Sequence, residues 1–158
     1  MSKARNVSIT WRRKRWGLIG LDIGIIIKPK TEAAREYLKT EFPSNRDEYS
    51  TGIKYEFGYW RKTWNIRRRV IDVFELPDHN DANLTMTLDQ LKIFRDEVLE
   101  FFLDKNHWIY KDNYSQVFSW EVELVPIANS IRDITLFFEY LDDDLTDDDF
   151  LIQFYDSY

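Results

Sequence analysis

The sequence predicts an α+β fold, a two-layer domain in which a small antiparallel sheet packs against three to four helices. Three observations carry that expectation. Short apolar runs with two-residue alternation stand near the front of the chain, from Leu18 to Lys28, and at its end, from Phe150 to Tyr155. Between them, long segments repeat apolar residues at three- and four-residue spacing, as amphipathic helices do. The chain has 158 residues, 44% of them hydrophobic, which suits one domain (1–158) with a buried core. Runs of helices beside a few strands favour an antiparallel sheet over a wound parallel one.

Each element has its own signal. Residues 1–17 read as a basic N-terminal arm or an edge strand, with Val7, Ile9 and Trp11 sharing one face over 5–11. In the next strand, over 18–28, Leu21, Ile23, Ile25 and Ile27 alternate with smaller or polar neighbours, and Pro29 ends it. Thr31 can cap a helix over 32–41 whose first turn holds Glu32 and whose inner face holds Ala34, Tyr37 and Leu38. Residues 52–76 fit two patterns. Ile53, Tyr55, Phe57 and Tyr59 alternate like a strand, whereas Trp60, Trp64, Arg67, Ile71 and Phe74 keep helical spacing; the longer pattern favours one helix from about 54 to 75, stopped by Pro77.

Thr87 and Gln90 form a capping box that opens a helix over 88–104, with Leu88, Leu91, Phe94, Val98, Leu99, Phe101 and Phe102 as its stripe. Residues 105–117 read as loop or a short strand. A last long helix over 121–141 takes Pro126 in its first turn and carries Leu124, Ile127, Ala128, Ile131, Ile134, Thr135, Phe138 and Leu141. After an acidic turn comes the final strand, over 150–155, which is expected to pair with residues 18–28.

Composition narrows the function classes. The absence of Cys excludes disulfides, thiolate metal sites and Cys nucleophiles, and fits a reducing compartment. No apolar run reaches the roughly 18 residues of a membrane span. Gly17 to Ile27 is short and interrupted by Asp22, and no small-residue cleavage site follows, so no secretion signal is expected. With 6 Trp, 9 Tyr and 11 Phe, the aromatics exceed what a core of this size holds, so some rings belong at the surface, where they favour contact with partners.

The net charge of -6 is unevenly distributed. Residues 1–79 carry 17 Lys and Arg against 10 Asp and Glu, whereas residues 80–158 carry 5 against 18. Such polarity can steer association with a charged partner, or the two halves can pair within the fold.

Catalytic signatures are missing: the sequence has no Gly-rich phosphate loop, nucleophile elbow or metal-binding His pair. His79 and His107 fall in expected loops. Asp142, Asp143, Asp144, Asp147, Asp148 and Asp149 lack the Gly and terminal Glu of a calcium loop, and read as a solvated turn or as a mimic of a phosphate backbone, although a mimic needs carboxylates spread across a surface and these six share one turn. The expectation is a chain without catalytic residues, cofactor or metal. Two runs combine cations with indoles: Trp11, Arg12, Arg13, Lys14, Arg15 and Trp16, then Trp60, Arg61, Lys62, Trp64, Arg67, Arg68 and Arg69. Arg pairs bidentately with carboxylate or phosphate, and Trp stacks on bases or guanidinium planes. These residues are the candidate contact surface. The sequence pI near 5.0 counts against general nucleic-acid binding.

Gly20-Leu21-Asp22, Glu56 to Lys62 and Thr85 to Leu91, followed by a late helix and an aromatic final strand, resemble a group of small uncharacterised phage and prophage proteins. Those carry an early Gly-Leu-Asp and a central Gly-Tyr-Trp-Arg-Lys helix, matched here by Gly58, Tyr59, Trp60, Arg61 and Lys62. Where that pattern continues with Asn, His and Trp, this chain has Trp64, Arg67 and Arg69. The resemblance implies a phage-like origin and an accessory role in the cytoplasm of a bacterial host. The expected function is binding and inhibition of a host macromolecule, such as a defence nuclease, in the manner of an anti-CRISPR or anti-nuclease protein. A nucleic-acid binder using the two Trp/Arg runs is the alternative, and a minor virion component the further one. A host or phage protein is the expected partner, and no membrane is involved.

Overall fold

Asp22–Pro29 forms β1, a strand whose Ile23, Ile25 and Ile27 are fully buried. β-branched side chains suit a pleated surface packed on one face, and these three make β1 the spine of the sheet. The computed structural model describes residues 22–47, 52–61, 64–77, 83–103 and 124–157. The expected arm over 1–17, the strand over 5–11, residues 105–117 and both histidines lie outside them.

Four strands form one antiparallel sheet in the order β2-β1-β4-β3. β2 is Tyr55–Arg61, β3 is Leu84–Met86 and β4 is Phe150–Ser157. The expected pairing of the first and last strands holds, with Ile23 opposite Asp156, Ile25 opposite Phe154 and Ile27 opposite Ile152. β3 has only three residues, too few to show an alternation.

The helices follow their caps. In α1, Glu32–Glu41, the Thr31 hydroxyl accepts from the Ala34 amide at 3.2 Å, and Ala34 and Leu38 are buried. α2 is Trp64–Phe74. It ends in a Schellman turn, in which the Leu76 amide donates to the Ile71 carbonyl and Glu75 takes a left-handed φ of 53°. The capping box of Thr87 and Gln90 opens α3, Leu88–Ile93. A π-helical stretch, Phe94–Leu99, follows directly, then α4, Glu100–Leu103. α5 is Val125–Tyr140, with its proline in the first turn as expected.

Two expectations are corrected. The single helix over 54–75 is instead strand β2 followed by helix α2, so the Gly58 to Arg61 string lies on a strand. A β-bulge explains why the pattern misled. β2 pairs Gly58 with Ile25 and Glu56 with Ile26, leaving Phe57 as the extra residue. Phe57 and Trp60 are both buried, so the alternation changes phase within the strand and imitates a helical spacing toward Trp64. The second correction concerns α5, whose buried line is Leu124, Ile127, Ser130, Ile134 and Phe137, while Ala128 and Thr135 are exposed. Small Ser130 can lie against the sheet because Gly58 faces it.

The core lies between the sheet and the helices. Phe42, Phe57, Phe137 and Phe150 pack with centroids 5.2–6.1 Å apart, and the ring of Tyr37 meets three of them edge-on. Burial raises the Tyr37 hydroxyl pKa, and its proton goes to the Phe137 carbonyl. Further along the sheet, Phe94 touches both Trp60 and Phe154.

Candidate functional site

The described residues of the central Trp/Arg run sit on two elements. Trp60 and Arg61 end β2, whereas Arg67, Arg68 and Arg69 occupy successive positions of α2 and so point in three directions. Trp60 is 3% exposed and packs on Phe94, which places it in the core rather than on a contact surface. Its ring folds back over Gly58, where a Cβ would stand 2.7 Å from Trp60 Cζ2 and nearer still to Cη2. Trp64 opens α2, and Lys62 lies outside the described residues, as does the whole run from Trp11 to Trp16.

Each described arginine of the run meets a carboxylate of its own chain. Arg61 Nε is 3.8 Å from Asp22 Oδ1 at the end of the sheet. Arg67, 7% exposed, donates from Nε to Asp156 Oδ2 at 2.6 Å, and that aspartate side chain is fully buried. Arg68 pairs with Asp72 at 3.1 Å one turn along the helix surface. Arg69 donates from Nε to the Glu97 carbonyl at 2.9 Å, lies 3.9 Å over the Phe101 ring, and has Nη2 4.0 Å from the Glu97 carboxylate.

The partners of two of these cations escaped the sequence reading. Asp22 is 2% exposed and accepts from the Tyr59 hydroxyl at 2.8 Å. Asp22 and Arg61 are directly opposed across β1 and β2, while Trp60, Ile23 and Asp156 form the next row. Adjacent rows point to opposite faces, so the two buried aspartates serve different partners. Asp22 binds β1 to β2, and Asp156 binds β4 to α2. The Asp156 amide also donates to Asn83 Oδ1 at 3.1 Å. Both aspartates are buried near the ends of largely apolar strands, and a charge in such a place signals a buried partner. One row further along the sheet lies Gly24, opposed by Tyr59 on one side and Tyr155 on the other; a Cβ there would stand 2.7 Å from the Tyr155 hydroxyl. Asn45, 6% exposed, makes a further polar joint by donating to the Glu56 carbonyl and to Asp133.

The acidic turn is more than a solvated loop. Asp149 accepts from the Thr31 hydroxyl at 2.6 Å and from the Thr146 amide at 2.8 Å. These two hydrogen bonds, Thr31 first, hold its pKa below the ordinary carboxylate value. Asp147 accepts from the Leu88 amide at 2.6 Å, supplying an acceptor at the start of α3. Asp142 accepts from the Asp144 amide at 3.4 Å. Asp143 and Asp148 are exposed. Among the described residues, no three Asp, Glu or His side chains converge as metal ligands.

These arrangements tie strands and helices together, with Asp22, Asp156, Asp147 and Asp149 each engaged by a donor from another element. The chain matches no protein-family model, and comparisons with curated proteins and with solved structures likewise found no match. No helix among the described residues is long and apolar enough to cross a membrane.

Proposed function

We propose that this chain is a phage or prophage accessory protein that binds a host protein in the bacterial cytoplasm and inhibits it by occupancy, an anti-defence role without turnover. One observation supports this reading above the nucleic-acid alternative. The described arginines of the central run are engaged with carboxylates of the same chain, two of those carboxylates being buried. A track for phosphates needs cations aligned along a surface, and here one guanidinium is interior while its neighbours diverge. The overall negative charge weighs the same way. The contact surface on this reading is the run from Trp11 to Trp16, which joins two indoles to four cations.

Immobilised full-length chain should capture one host protein from bacterial lysate, and the complex should survive a high-salt wash because aromatic anchors rather than ion pairs hold it. Replacing Trp11 and Trp16 by Ala should abolish capture. Capture that vanishes in salt and is replaced by steep salt-dependent binding of oligonucleotides would transfer the assignment to the nucleic-acid reading.

A further inference from the structure

The described helices that touch the sheet do so on one face. Tyr37 of α1 meets Phe150, Arg67 of α2 bonds to Asp156, Phe94 packs on Trp60 and Phe154, and Phe137 of α5 packs on Phe57. The strand registers turn Asp22, Gly24 and Ile26 of β1 to the opposite face, together with Glu56 and Tyr59 of β2 and Tyr155 of β4. A sheet covered on one side leaves its other face in water. Here that face is not left there. Glu56, on the terminal strand of the sheet, is 4% exposed, and Ile26, Tyr59 and Tyr155 are half-buried. Flanking side chains in a single layer do not bury a carboxylate of a terminal strand to that depth, so chain must lie over Glu56.

Outside the described residues, two stretches are long enough to cross the sheet, 1–21 and 104–123. Residues 48–51 are closed off by the hydrogen bond from the Asp47 amide to the Lys54 carbonyl at 2.9 Å. The stretch 104–123 joins Leu103 of α4 to Leu124 at the start of α5, both ends belonging to the helical layer, and it carries four Asp and Glu against two Lys. The stretch 1–21 runs straight into Asp22 on the sheet itself. It holds six Lys and Arg and no acidic residue, which complements a face where two carboxylates are buried.

The reach fits. Arg15 precedes Asp22 by seven residues, which span up to about 23 Å when extended. Glu56 is paired with Ile26, four residues along β1, and so lies roughly 14 Å from Asp22. We propose that residues 5–17 of this chain lie across the open face of the sheet, with the cations of Arg12, Arg13, Lys14 and Arg15 set against Glu56 and the rings of Tyr59 and Tyr155. A guanidinium suits both kinds of partner, since it pairs with a carboxylate in the plane of its fork and stacks on an aromatic ring through its face. The cations then hold the arm to the sheet and leave contact with a partner to the indoles of Trp11 and Trp16. The placement does not depend on what those indoles bind.

The chain has no Cys, so one engineered thiol carries a nitroxide to a single chosen place. Thr85 is exposed and lies on the same row of the open face as Gln153, Ile26 and Glu56, whereas Ala128 is exposed on α5 in the helical layer. In NMR spectra of the full chain, a label at T85C should broaden away the backbone amide signals of residues 5–17, and a label at A128C should leave them. Adding R12Q, R13Q, K14Q and R15Q to the T85C chain should bring the signals back. Should T85C fail to fold, Q153C on the same row takes the label. Equal broadening from the two faces, or none from either, would overturn the proposal. So would broadening that persists when label and isotope sit on different chains, because a second copy would then occupy the face. The measurement uses this chain alone, so failure to capture a host protein leaves its result untouched.

Discussion

The same interaction type has different worth at different residues of this chain, and burial decides which. Arg67 and Asp156 form a charge pair out of water, so removing one partner strands the other; Arg67→Met or Asp156→Leu alone should cost about 3–5 kcal/mol in chemical denaturation. Arg68 and Asp72 pair at the same nominal strength on an exposed helix face, and Arg68→Ala should change stability by no more than about 0.5 kcal/mol. Equal losses for the two substitutions would refute the placement of Arg67. Gly58 poses a packing question instead. A methyl group there meets the Trp60 indole, so Gly58→Ala should destabilise by about 1–3 kcal/mol, and the loss should shrink when Trp60 is also replaced by Leu. Additive effects in that double variant would mean that the ring does not occupy the space above the glycine.

At the scale of elements, the ends of helices carry the most direct predictions. Glu75 holds a left-handed conformation at the end of α2, which Gly adopts without strain, so Glu75→Gly should raise stability by about 1 kcal/mol. Asp149 adds a pH dependence. Its pKa is depressed in the folded chain by the Thr31 hydroxyl and the Thr146 amide, so its contribution is present above the ordinary carboxylate range and is lost as pH falls through the depressed value. Asp149→Asn should flatten the acid limb of the stability curve, and an unchanged limb would show that the hydrogen bonds from Thr31 and Thr146 do not favour the charged form.

The elements that these caps define were legible in the sequence for local reasons. Thr31 and the Thr87–Gln90 pair marked helix starts, and the three isoleucines of β1 marked a strand, because each signal lies within a few residues. β2 was legible only as the less favoured of two patterns, because a bulge at Phe57 changed the phase of its alternation. The burial of Ser130 depended on its meeting Gly58 across the sheet and α5, which no local pattern records. The candidate site was hidden for the same reason. The carboxylates that engage Arg67 and the carbonyl that engages Arg69 lie 89 and 28 residues away in the chain.

Over the whole molecule, the charge asymmetry is partly consumed by the fold. The basic front half supplies Arg67 and Arg69, and the acidic back half answers with Asp156 and Glu97. The acidic turn does likewise through Asp149 and Asp147, which fasten the starts of α1 and α3. What the described fold engages internally is removed from the account of binding, and the candidate contact surface contracts to the Trp11–Trp16 run with Lys62 and Trp64. A binder of that kind acts by occupancy, and occupancy has a direct signature. Once the captured host protein is in hand, its activity should be titrated with this chain at target concentrations well above the dissociation constant. Activity should fall linearly to zero at a fixed molar ratio, with the target recovered chemically unaltered. Loss of activity at strongly substoichiometric amounts, or a target cleaved or modified on recovery, would contradict the account.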